Sequence, residues 1–456
     1  MIAAIVAALT LGQAGPTPVL TLDAALREAQ ERNLDLKQAQ ARLDEANQLS
    51  WKAWSYYLPQ VTAGASWTRN ETEATLQVPG NFAIRDFSPG GVPTPPGLAG
   101  NPTTYGIVPY DITTFYIQKR DQLGAQVEVR QAILAPALWP AIRNAYRAEK
   151  VARLTVENGR REVLFGVTQA YYGAVGLKAA LQVAERQLEL TRQHEKDARV
   201  RYQAGTTPKV ALLRAQIDRS KAEEDLKRSQ NALAGAKLAL ATLLDRPGAD
   251  FEVEVPPEPK APTDPAQLEK SALEERPDVM AAQEGVDLAR GTRNGTWARY
   301  APTLGAFANY RWANLKGFTG KETAWAIGLA LTWTLLDGGL REAELSENQA
   351  KVVEAEAAKR SADARALEDV RRALLDLDSA RANRSKAKEV VDLARENQKL
   401  VEVNFKAGAA TYIEVADATE SLRQAELAQV AESLNADLAA IQVQKAAGLF
   451  KPGTPF

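Results

Sequence analysis

Few residues of this chain are of the kinds that make or break covalent bonds. It has no cysteine and one histidine, His194, which excludes disulfides, thiolate metal ligands, a cysteine nucleophile and a lipid on an N-terminal cysteine. His194 stands in the run Arg192-Gln193-His194-Glu195-Lys196-Asp197, which reads as a solvated helix face rather than a ligand set. No nucleophile paired with a base and no phosphate loop is present, so the sequence predicts neither an enzyme nor a cofactor. What remains is carboxylates that could hold cations. In Thr411-Tyr412-Ile413-Glu414-Val415-Ala416-Asp417, Glu414 and Asp417 lie three residues apart and share nearly one helix face. Such a pair is ordinarily just a solvated face, so its meaning depends on the architecture around it.

Composition sets the limits of that architecture. A chain of 456 residues with 45% apolar content can bury two or three domain cores. Its 56 basic and 57 acidic side chains leave a net charge of -1, so no general field attracts nucleic acid, and none is expected as a partner. Residues 1–14 are apolar and end in small side chains, as a secretory signal peptide does, although a basic residue near the start is missing. No other stretch approaches the roughly 18 to 20 apolar residues of a spanning helix. If the chain crosses a membrane, it must do so with strands.

The sequence repeats itself. A displacement of 243 residues lays Trp54 on Trp297, Tyr57 on Tyr300 and Pro59 on Pro302, whereas a displacement of 203 lays Val167 on Val370, Tyr202 on Phe405 and Gly205 on Gly408. The difference, 243 − 203 = 40, gives repeat one about 40 extra residues. They fall between Arg69 and Asp121, where the run Gly90 to Gly97 suggests a long irregular loop. The expected order is a leader at 1–14, repeat one at 15–244, a proline-rich linker at 245–264, repeat two at 265–447 and a tail at 448–456. Each repeat reads as helix, strand, loop, strand, long helix, turn, helix.

Four segments alternate with period two: Val61 to Trp67, Leu123 to Val129, Leu304 to Trp312 and Trp325 to Leu335. Strands of about ten residues can cross hydrocarbon at a tilt, although alternation alone fits a soluble sandwich equally well. Four strands are too few to close a membrane barrel, so an inserted barrel would need several chains. Between Pro140 and about Tyr202, and between Gly339 and about Phe405, nothing stops a helix, and each would extend on the order of 100 Å. Apolar spacings of three and four residues, such as Val352, Ala355, Ala358 and Ala362, indicate coiled packing. Gly205 and Gly408 are placed to end these helices at positive φ, with Pro208 opening the next.

In order and spacing these features resemble the TolC-type outer membrane efflux family. The resemblance is carried by Leu20 to Leu26 with Asn33 to Leu36, by Glu275-Arg276-Pro277-Asp278-Val279, by Trp333 to Gly339, and by the paired turns Arg201 to Gly205 and Asn404 to Gly408. It implies a mainly α fold of two tandem repeats, with long coiled helices forming an α-barrel in the periplasm. It also implies four transmembrane β-strands per chain that complete a 12-stranded β-barrel in a homotrimer. The chain would then be a passive duct in the outer membrane lipid, supplied by an inner membrane transporter through a periplasmic adaptor protein. Glu414 and Asp417 resemble the family's acidic constriction, where threefold symmetry gathers six carboxylates, holds cations and raises some of their pKa values. A lock between that pair and Arg214 or Lys209 is a further expectation, and Tyr202 and Phe405 serve either as gate aromatics or as turn packing. The rival architecture is a non-conducting structural coiled coil of the cell envelope.

Overall fold

The computed structural model describes residues 18–86, 105–248, 251–316 and 320–452. The leader 1–14, the run 90–97 and the end of the tail lie outside the described residues. The chain forms two compact units, one from residues up to 49, 146–290 and 350 onward, the other from 50–145 and 291–349.

Repeat one runs β1 (Val19–Leu20), α1 (Leu22–Arg32), α2 (Leu34–Ala46), α3 (Leu49–Ser55), β2 (Gln60–Arg69), β3 (Ala74–Asp86), β4 (Tyr105–Gln118), β5 (Asp121–Leu134), α4 (Leu138–Gln203) and α5 (Lys209–Leu243). After β6 (Glu252–Val253), repeat two runs α6 (Pro265–Glu275), α7 (Pro277–Ala298), β7 (Thr303–Ala313), β8 (Thr323–Thr332), α8 (Leu340–Lys406) and α9 (Tyr412–Ala446). Side-chain caps start the short helices: Thr21 accepts from the Ala24 amide and Asn33 from the Leu36 amide. Asp264 caps α6, whose first residue is Pro265, a position where the missing N–H costs nothing.

In the first unit the repeat is legible in the core. Ala29 and Ala272 are both fully buried, and so are Val167 and Val370, at displacements of 243 and 203 respectively. Leu36 with Val279 and Leu240 with Val443 extend the equivalence. One cluster gathers around Leu164, Tyr171 and Leu240, the other around Leu268, Val370 and Val443. β1 pairs with β6 in parallel. The Tyr171 hydroxyl fastens both to α4, donating to the Leu20 carbonyl at 2.7 Å and accepting from the Glu254 amide at 3.2 Å. Small residues let helices approach closely: a Cβ on Gly176 of α4 would strike Leu434 of α9.

The second unit holds an antiparallel sheet in the order β2-β5-β7-β8. Its register aligns the alternating stripes. Ala63 faces Val127, Val127 faces Tyr310, and Tyr310 faces Trp325. All four apolar sets therefore lie on one face, and Trp67, Trp325, Ile327 and Leu329 on it are exposed. The polar face carries Gln126, Glu128, Arg130, Asn309 and Arg311. Phe307, the one aromatic on that face, has its ring over Gly328, where a Cβ would come within 2.7 Å of it.

The extra segment of repeat one corrects the expectation of an irregular loop. β3 and β4 form an antiparallel hairpin from the Ala74↔Gln118 pair to the Asp86↔Tyr105 pair. The β-branched and aromatic run Ile112-Thr113-Thr114-Phe115-Tyr116-Ile117 drives extended structure. The run from Gly90 to Gly97 that suggested a loop falls between the two strands, while the strands themselves accommodate Pro79, Gly80, Gly106 and Pro109.

Candidate functional site

The turns that join the long helices to their partners are built alike. After α4, Ala204 N–H donates to Val200 O, Gly205 N–H to Tyr202 O and Thr206 N–H to Arg201 O. After α8, Ala407 donates to Val403, Gly408 to Phe405 and Ala409 to Asn404, the same three bonds displaced by 203. Gly205 has φ 73° and Gly408 φ 79°, a region where a side chain would be strained. These bonds satisfy carbonyls that the helix ends would otherwise leave without donors.

Beyond the turns the repeats diverge. Pro208 occupies the cap position of α5, supplies no side-chain hydrogen bond and precedes the first helical residue, Lys209. α9 instead begins with a capping box: Thr411 accepts from the Glu414 amide, and the Glu414 carboxylate accepts from the Thr411 amide at 2.6 Å. Donation from the Thr411 amide, and from its hydroxyl, holds the Glu414 carboxyl below its usual range. Within one chain, then, this carboxylate is held down and turned back onto its own helix. The box was readable as Thr-x-x-Glu ahead of an apolar run, but the sequence analysis took only the acidic spacing from it.

Asp417 is exposed one turn on, and Arg214 is exposed on α5. Among the described residues neither makes a hydrogen bond or ion pair, so the chain does not form the expected lock to Arg214, nor one to Lys209. Long, solvated side chains gain little from pairing across an exposed gap. The polar tie between α5 and α9 is a different one. The Tyr412 hydroxyl donates to Asp218 Oδ2 at 2.9 Å, and burial with that carboxylate nearby raises the phenol's pKa. Tyr412 is buried with Ala198 and Ala215 and stands edge-on to Phe405, ring centroids 6.4 Å apart. Arg201 lies over the Phe405 ring, 4.4 Å from its centroid. Phe405 is thereby engaged in turn packing, whereas Tyr202 is exposed.

His194 overturns its reading as part of a solvated face. Its side chain is only 14% exposed, edge-on to Tyr412 at 6.4 Å. Burial lowers its pKa against the opposing pull of Glu402, Asp197 and Asp218. Arg192, Gln193, Lys196 and Asp197 around it do face solvent, which is why composition concealed the two inward positions, His194 and Glu195. The neighbouring Glu195 is buried between Arg199 at 2.5 Å and Arg219 at 3.2 Å.

Residues 268–449 match the family described as outer membrane efflux protein. That match covers 182 of the chain's 456 residues. Nodulation protein T of Rhizobium leguminosarum bv. trifolii is 23% identical over 301 residues, 63% of this chain and 64% of that protein. Outer membrane protein OprJ of Pseudomonas aeruginosa is 26% identical over 192 residues, 41% and 39% of the two chains. The alignments thus span less than two thirds of either relative. The fold is that of outer membrane protein VceC from Vibrio cholerae, with a TM-score of 0.70 at 20% identity over 94% of this chain and 96% of that one. The family match lies in repeat two, which lacks the inserted hairpin of repeat one.

Proposed function

We propose that three copies of this chain form an outer membrane duct for efflux. The observation that carries this is the sheet β2-β5-β7-β8. It exposes a band of large apolar side chains and leaves β2 and β8 as open edges, features that would invite aggregation in a protein dissolved in water. β2 and β8 run in opposite directions, so β8 of one copy can pair with β2 of the next without breaking antiparallel order. Three copies of four strands give 12, within the even-numbered range of membrane barrels. The apolar band would then face outer membrane lipid and the polar face the lumen.

The helical part would stand in the periplasm, receiving cargo from an inner membrane transporter through a periplasmic adaptor. In this reading conduction is passive. The aperture is formed where α4 meets α5 and α8 meets α9. There Glu414 and Asp417 from each copy line the opening, Tyr202 and Phe405 border it, and Arg214 is available to a neighbouring copy.

Purified protein reconstituted in planar bilayers tests this reading. Discrete pores are expected, blocked by divalent cations from one side only, with block weakened by Glu414→Gln combined with Asp417→Asn. Folded protein that gives no pores would favour a non-conducting envelope coiled coil instead.

A further inference from the structure

Beside the Tyr412–Asp218 bond lies a cavity of about 410 Å³, walled by α4, α5 and α9 and thus by both repeats. Thr419 on α9 points to an occupant. It lines the cavity and is 4% exposed, yet its hydroxyl has no hydrogen-bond partner. Helical threonines elsewhere in this chain bond back to the preceding turn: Thr155 to Val151, Thr168 to Leu164, Thr191 to Gln187, Thr242 to Leu238 and Thr296 to Thr292. A buried hydroxyl without a partner is costly, and Thr419 departs from its fellows where space opens in front of it.

The cavity's charge indicates what that space would take. Asp218, Asp225, Asp417 and Glu420 are set against Lys221 and Arg423, a balance of four negative to two positive, or −2. Arg423 is consumed by Glu420, with contacts of 2.6 and 2.7 Å, which leaves Lys221 as the other lining cation for three aspartates, of which Asp218 accepts from Tyr412 and Asp225 lies 3.9 Å from Arg228. Among the described residues no three acidic or imidazole side chains are disposed to hold a metal ion, so an occupant must reach several groups through hydrogen bonds. The rings of Tyr412 and His194 in the wall favour a cation with some hydrocarbon.

We infer that this cavity is a binding site for a small organic cation of the aliphatic amine class, whose ammonium donates to Thr419 Oγ1 and to the aspartates. The assignment is independent of whether the chain conducts. Detergent-purified full-length protein is titrated calorimetrically with 1,5-diaminopentane, and with 1,5-pentanediol as the uncharged control of like shape. The amine binds saturably at one site per chain and the diol does not. Thr419→Val and, separately, Asp225→Asn each weaken binding about tenfold, as expected for one lost charge-assisted hydrogen bond, while melting temperatures confirm that both variants fold. Three results overturn the assignment: no saturable heat up to about 10 mM amine, equal binding of the diol, or amine binding that both variants leave unchanged.

Discussion

Tyr412 and Asp218 join the first residue of α9 to α5 through a 2.9 Å hydrogen bond made beside a buried imidazole. The bond couples the two repeats at the end of the helical unit where the turns lie. Tyr412→Phe keeps the ring against Phe405 and removes only the donor. Because the acceptor is ionised, the loss should be about 1.5–3 kcal/mol, toward the lower figure since Asp218 is only half-buried. A lower melting temperature in detergent checks this, and Asp218→Asn, which keeps an acceptor oxygen, should cost less.

The capping box at Thr411 gives a second expectation. Thr411→Ala removes the acceptor for the Glu414 amide and should cost about 1 kcal/mol. Glu414→Gln leaves a side-chain oxygen that can still reach back, and should cost less. Because the Glu414 carboxyl is held below its usual range, its contribution is complete above the unfolded value of about 4.3 and is lost as pH falls through the folded one. Denaturant midpoints of the three proteins, compared at neutral and acid pH, check both points.

His194 acts in a higher pH range. Burial outweighs Glu402, Asp197 and Asp218 and lowers its pKa, and Lys406 pushes the same way. The unfolded chain therefore takes up a proton near pH 6.5 that the folded chain resists. The stability at stake is complete above that pH and declines as pH falls through the lowered value. His194→Gln, which cannot titrate, should flatten the fall in melting temperature between about pH 7 and pH 5. Parallel curves for the two proteins would contradict this.

Much of the fold was legible because it depends on periodicity. The stripe Trp325, Ile327, Leu329 and the proline-free stretch after Pro140 each dictate one element almost alone, and the two displacements place equivalent elements in order. The β3–β4 hairpin was not legible in this way, because its strands flank a run of glycine and proline that dominates local composition. At the candidate site, the positive φ of Gly205 and Gly408 followed from residue type. The Tyr412–Asp218 bond did not, since it joins residues 194 apart in sequence and depends on which face of α5 meets α9. His194 was hidden by its exposed neighbours for the same reason: helix rotation, not composition, decides which residue of a charged run turns inward.

Gly408 tests the turn geometry. With φ at 79°, Gly408→Ala should cost about 1 kcal/mol from backbone strain alone. Among the described residues, chain neighbours aside, no heavy atom lies within 4 Å of the new Cβ, so a clash in the chain would not confuse the result. Gly205→Ala should cost a similar amount, since the two turns share their hydrogen bonds. Equilibrium unfolding of the two variants checks the equivalence.

The most direct test of the proposed assembly uses the absence of native cysteine. Ala63→Cys on β2 is combined in turn with Trp325→Cys, Ile327→Cys or Leu329→Cys on β8, so that the register between copies need not be known beforehand. Oxidation of membranes containing these variants should yield, for at least one pair, covalent species of two and three chains and nothing larger, because a ring of three leaves no free edge. Chains that stay monomeric in every pairing, or a ladder that continues past three, would contradict a closed barrel of three copies.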